Sequence, residues 1–181
     1  GKGVMLHLPM ETISGLNPGP GKITTEMTDG RIAAQVDADL ADVPHVEGVN
    51  NHEGSKATAD ARVMHDVAEQ IAKHGNLFFV DSLTIGDSVA ADATRAAGVP
   101  TGTRDVFLDN RADVAYTTSQ LLAAARLAER RGSAIAIGHP RPTTLVALRD
   151  AIPQIEASGV RFVLVPELLG TQPAPQSSGP T

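Results

Sequence analysis

Ionisable and amide side chains stand where short apolar runs end. His7 closes the run Val4-Met5-Leu6, and Glu11 follows four residues later. The cluster Asn50-Asn51-His52-Glu53-Gly54-Ser55 follows Val46 to Val49, and Asp81 follows Leu77-Phe78-Phe79-Val80. Arg104-Asp105 lies in a short run, and His139 comes directly after Ala134-Ile135-Ala136-Ile137-Gly138. Neutral imidazole and carboxylate groups are zinc donors. An imidazole titrating near neutrality can also protonate a leaving group. Several successive segments with such groups at one end point to a metal or acid–base site.

Each residue also has a plainer role open to it. His7 can be a ligand or a core histidine bonded to backbone. Glu11 can be a ligand, a loop carboxylate or a partner that orients a histidine; Pro9 argues against a helix between the two. His52 can be a ligand or part of a polar loop, in which Asn50, Asn51 and Ser55 are groups able to bind substrate. Asp81 can orient an imidazole or shape the turn Asp81-Ser82. Arg104 and Asp105 can touch an anionic intermediate, orient a base, or form a local ion pair. His139 can act as an acid or stack on Pro140. His45, His65 and His74 read as surface residues.

The elements that must hold these groups follow from periodicity. Strands are expected at residues 4–8, 46–49, 77–80, 103–107, 134–137 and 160–165, the third and fifth without polar alternation, as for burial on both faces. Helices are expected at about 29–41, 58–74, 88–97, 112–131 and 143–158. Asp29 is the expected cap of the first, Asp60 or Thr58 of the second and Asp109 of the fourth; Pro153 is expected to interrupt the last. Strands alternating with helices imply parallel pairing with right-handed crossovers. In such folds sites form at the carboxyl ends of the strands. The class is α/β; the pattern alone leaves a barrel and an open doubly wound sheet both open.

Composition narrows the function. The chain has 181 residues, a formal net charge of −6, 41% hydrophobic and 20% charged residues, which is ordinary globular usage. There is no basic stripe, and four Phe, one Tyr and no Trp leave little to stack on bases, so nucleic acid is not an expected partner. The absence of cysteine removes disulfides, zinc-thiolate sites and thiol nucleophiles. No apolar run reaches the roughly 18 residues of a membrane span. No phosphate-binding loop and no Gly-x-Ser-x-Gly elbow is present.

Five ordered motifs carry a resemblance: MLHLPME at Met5–Glu11, GVNNHEGS at Gly48–Ser55, FFVDSLT at Phe78–Thr84, RDVFLDN at Arg104–Asn110 and AIAIGHP at Ala134–Pro140. Over residues 1–169 the chain resembles the divergent polysaccharide deacetylase family. The resemblance implies a deformed (β/α) barrel related to the deacetylases of carbohydrate esterase family four. Those enzymes remove acetyl groups from glycans with one divalent metal, commonly zinc. It implies His7 and His52 as metal ligands with Glu11 as a further ligand or partner, and His139 as general acid. Asp81, Arg104 and Asp105 would orient these groups. The family's Asp pair on an earlier strand has no counterpart here, so the domain is expected to be N-terminally incomplete. The expected substrate is carbohydrate and the expected location extracytoplasmic, for instance periplasmic. The alternative is a non-catalytic glycan-binding or envelope protein on the same fold. Residues 170–181, rich in Pro and polar residues, are expected to be a disordered tail.

Overall fold

A computed structural model describes residues 2–171; the expectation for the tail lies, past Thr171, outside the described residues. The chain divides into two compact units, Gly1–Thr101 with Val163–Thr181, and Gly102–Phe162. Its strands are parallel, and its helices lie between them in sequence, so it is an α/β protein. The strands form one four-stranded and one two-stranded sheet. Among the described residues no closed barrel forms.

The first unit is built on β1 (Met5–Met10), β2 (Gly48–Glu53) and β3 (Phe78–Asp81), paired in that order; β4 (Thr101–Thr103) starts at the unit's boundary residue Thr101. In β1, Leu6, Leu8 and Met10 are buried while His7 is exposed, the period-two alternation of a strand with one face on a core. The register pairs His7 with Asn50 and Pro9 with His52. β3 is buried at every position, as its unbroken apolar run requires. Helix α1 (Asp29–Ala41) turns Ile32, Val36 and Leu40 inward at four-residue spacing. Helix α2 (Ala61–Lys73) follows a 3-10 turn at Ala57–Ala59 and buries Val63, Val67 and Ile71. Asp60 caps it, its carboxylate accepting from the Val63 amide at 3.0 Å. These residues pack with Phe79 and α3 (Ala90–Ala96) into one core. Each fully buried aliphatic or aromatic side chain contributes about 1.5–3 kcal/mol.

The second unit holds β5 (Val106–Phe107), β6 (Ala136–Ile137), α4 (Val114–Arg131) and α5 (Pro142–Ala157). β5 and β6 pair Val106 with Ala136 and Phe107 with Ile137. Leu108, Leu121, Ala125, Ala147, Ala151 and Ile155 form its core. Small residues on α5 let the helices approach closely. Gly138 does the same for the sheet: a Cβ there would meet Leu108 at 3.1 Å.

The structure corrects five local expectations. The strand expected at 103–107 is two short strands, broken at Arg104-Asp105. Residues 160–164 pair with no strand among the described residues, and Pro166, preset for a first helical turn, begins the short α6 (Val165–Leu168) instead. Asp113, not Asp109, caps α4, accepting from the Tyr116 amide at 2.7 Å, and α1 starts at Asp29 with Thr28 in the cap position. Pro153 does not interrupt α5, which runs from Pro142 to Ala157 with Ala147, Ala151 and Ile155 buried on both sides of the lost hydrogen bond. No helix of the described residues is long and apolar enough to cross a membrane.

Candidate functional site

In the first unit, the β1–β2 register brings two of the expected histidines together. The His7 and His52 rings have centroids 4.5 Å apart and planes inclined at 48°. One residue further along β2, Glu53 takes φ of 54° and Gly54 of 91°. The left-handed conformation costs a non-glycine residue about 1 kcal/mol or more. It is held by hydrogen bonds from Asn51 Nδ2 (2.9 Å) and Thr84 Oγ1 (2.8 Å) to the Glu53 carbonyl.

The other polar groups of this unit are tied into the scaffold. Asn51 is fully buried. Its Oδ1 accepts from the Ser82 amide at 2.7 Å, and its carbonyl accepts from Ser82 Oγ at 2.7 Å. Asn50 Nδ2 donates to Ser82 Oγ at 3.0 Å. Ser55 Oγ accepts from the Ile13 amide at 3.0 Å. Asp81 is buried and shapes its own turn, accepting from the Leu83 amide and Ser88 Oγ, both at 2.8 Å; no imidazole is among its hydrogen-bond partners.

Glu11 is a junction. Its Oε1 meets Lys56 Nζ at 2.8 Å, and its Oε2 accepts from the Thr25 amide and hydroxyl, both at 2.8 Å. Its carbonyl accepts from the amides of Lys56 and Ala57. Burial alone would push this carboxyl up, but Lys56 and Thr25 outweigh it and bring the pKa down to about 2. A metal at Glu11 would have to displace the Lys56 ammonium. His7 and His52 offer two nitrogen donors, and among the described residues no group of three His, Asp or Glu side chains stands ready to hold an ion. The described residues therefore do not make a complete ligand set.

In the second unit a residue that periodicity assigned to a helix cap takes the central place. Asp109 is fully buried. Its Oδ1 lies 3.0 Å from His139 Nδ1, and its Oδ2 accepts from the His139 amide and Thr144 Oγ1, both at 2.8 Å. Its carbonyl accepts from the Arg141 guanidinium at 2.7 Å. Burial opposes its charge, yet these donors, Thr144 and the His139 amide foremost, hold the carboxyl below its ordinary value. An ionised Asp109 requires Nδ1 of His139 to carry a proton, which leaves Nε2 for exchange with a substrate. The His139 side chain is half exposed, and its ring meets the Phe107 ring edge-on at 5.5 Å. Arg104 covers the same Phe107 ring at 5.4 Å.

Asp105 has another task. It accepts from the Ile135 amide at 2.9 Å and faces Arg131 at 3.5 Å, fastening β5 to the start of β6. The signal for Asp109 was in the strand ends. Phe107 pairs with Ile137, so the residues two places on, Asp109 and His139, emerge side by side.

In this α/β protein a buried carboxylate is hydrogen-bonded to a half-exposed imidazole, both just past the carboxyl ends of parallel strands, where such folds carry their sites. Comparison with known proteins gives the family. The model for the divergent polysaccharide deacetylase family matches residues 1–169, and the chain belongs to that family. An uncharacterized protein of Haemophilus influenzae is 37% identical over 152 residues, 84% of this chain and 54% of its own length. The uncharacterized protein YibQ of Escherichia coli is likewise 37% identical over 152 residues, 84% of this chain and 47% of its own. The chain thus spans about half the length of these curated relatives. The crystal structure of an uncharacterized protein of Agrobacterium tumefaciens C58 has the same fold, with a TM-score of 0.87 at 24% identity, covering 92% of this chain and 68% of that one.

Proposed function

We propose that the protein is a carbohydrate deacetylase, hydrolysing an acetamide or acetyl ester on a glycan to acetate and the free amine or alcohol. The observation that carries this is the Asp109–His139 pair. The imidazolium of His139 would give its Nε2 proton to the leaving nitrogen or oxygen as the acyl bond breaks. Asp109 would hold the ring through Nδ1 and stabilise its charged form, as a buried carboxylate does for a catalytic imidazole. Thr144 and the His139 amide fix the carboxylate in turn, so the ring has one orientation before substrate arrives.

A divalent cation, zinc by the chemistry of two imidazoles, belongs to the proposal. His7 and His52 would donate to it, and its remaining donors have to come from outside the described residues. Such an ion would polarise the acyl carbonyl and lower the pKa of bound water. The envelope side of the cell is the location proposed with it, on the family's likeness to enzymes that act on envelope glycans.

The test is acetate release from acetylated chitooligosaccharides and acetylated xylan by the full-length protein, supplied with zinc. Turnover that falls about 10²–10⁴-fold in His139→Ala supports the reading. No release from any glycan with any divalent metal overturns it. In that case the engagement of Glu11 by Lys56 and Thr25 favours the second reading, a glycan-binding protein without turnover, to be recognised by glycan affinity that survives His139→Ala.

A further inference from the structure

We infer that the cavity between the loop 17–24 and the first half of α1 binds an acidic saccharide, a sugar carrying a carboxylate or phosphate group. Lys22 and Arg31 line this cavity. Neither has an ion-pair or hydrogen-bond partner among the described residues, whereas Lys56, Arg62 and Arg95 of the same unit each face a carboxylate. Glu26 is the one carboxylate among the lining residues, so the two cations outnumber it there on a chain of net charge −6. Unpaired cations lining a concave surface attract and orient an oxyanion.

Neutral groups around them suit the rest of a sugar. Asn17, Thr24 and Gln35 also line the cavity. Asn17 spends its oxygen on the Gly19 amide at 3.3 Å and keeps its amide nitrogen as a donor. Met27 adds an apolar surface for the C–H face of a ring.

The walls are fixed before any ligand arrives. Ile23, between Lys22 and Thr24, is fully buried. Its amide donates to the Pro9 carbonyl, and its carbonyl accepts from the Glu11 amide, both at 2.9 Å. Gly21 has φ of 76° and lies so close to α1 that a Cβ would run into the Asp39 carboxylate. Asp39 is itself hydrogen-bonded by Gln35 at 2.9 Å, and burial pushes its carboxyl up. Arg31 and Gln35 lie one turn apart on α1, which is anchored in the core by the neighbouring Ile32 and Val36.

None of His7, His52, Asp109 and His139 lines this cavity, so the inference does not need the hydrolase. Its test is titration of the chain with glucuronate, glucose 6-phosphate, glucose and inorganic phosphate, read by the amide NMR shifts of residues 17–35 and the resulting Kd. The two acidic sugars are expected to bind at least about tenfold more tightly than glucose, a preference that fades in about 0.5 M salt. The double variant Lys22→Gln, Arg31→Gln is expected to abolish that preference, and Lys22→Glu to weaken acidic sugars relative to glucose. Asp109→Asn is expected to leave it intact, which separates this result from the hydrolase test. Equal affinity for glucose and glucuronate, or an unchanged preference in the double variant, overturns the inference. Inorganic phosphate binding as tightly as glucose 6-phosphate overturns the saccharide part of it.

Discussion

Two sets of strand ends in this molecule carry the same residue types and use them differently. In the first unit the carboxylates are consumed by the scaffold. Glu11 is neutralised by Lys56 and Thr25, and Asp81 closes a turn with Leu83 and Ser88. In the second unit the buried carboxylate, Asp109, faces an imidazole that stays half exposed. A carboxylate bonded to an ammonium and hydroxyls has no proton to pass on at neutral pH. One bonded to an imidazole sets that ring's tautomer and charge, and the ring remains open to a substrate. Partner chemistry, more than strand-end position, separates a structural carboxylate from a functional one.

That contrast is open to graded tests. The largest effect is expected at Asp109. Asp109→Ala would leave the His139 amide, the His139 ring and the Thr144 hydroxyl without their acceptor, and an abandoned buried network costs about 3–5 kcal/mol. Chemical denaturation of the chain measures it, and a loss under about 1 kcal/mol would break the contrast.

Glu11→Gln comes next. The Glu11 pKa falls from 4.5 to about 2, and a shift of that size corresponds to about 3 kcal/mol. The sign follows from linkage. A depressed carboxyl stabilises the fold above its unfolded value near 4.5, and the contribution drains away as pH falls toward 2. Wild-type stability is therefore expected to drop across that window, and the drop is expected to shrink in Glu11→Gln, as read by denaturation midpoints at successive pH values. Lys56→Met should reproduce most of the Gln effect.

Smaller still is the cap of α4. Asp113→Ala removes the acceptor for the Tyr116 amide and is expected to cost about 1 kcal/mol. Smallest is Arg131→Ala. Its pairing with Asp105 is long, at 3.5 Å, and exposed on the arginine side, so a loss within about 0.5 kcal/mol is expected in thermal or chemical melts. A large loss there would mean that the Asp105 fastening depends on Arg131 rather than on the Ile135 amide.

Much of the fold was legible in the sequence because the periodicities are strong. Ile32, Val36 and Leu40 mark α1, and Phe78-Phe79-Val80 marks a doubly covered strand. What failed was local competition. Pro166 favoured a helical turn at the end of an apolar run, and packing on Ala147 and Ala151 carried α5 past Pro153. His7 and His52 were legible as neighbours-to-be because both stand in motifs at strand ends. Asp109 was hidden because Asp before a helix reads as a cap, and only the register of β5 against β6 shows that it meets His139. The turn role of Asp81 and the Lys56 partnership of Glu11 depend on side-chain contacts that spacing does not encode.

The most direct measurement is steady-state acetate release by full-length wild type and by Asp109→Asn, with kcat and KM determined separately. Asn keeps the shape and removes the charge that orients and supports His139. In Asp109→Asn kcat is expected to be lower by about 10²–10⁴-fold with KM within a few-fold of wild type. Wild-type turnover that persists in Asp109→Asn, or a loss confined to KM, would contradict it.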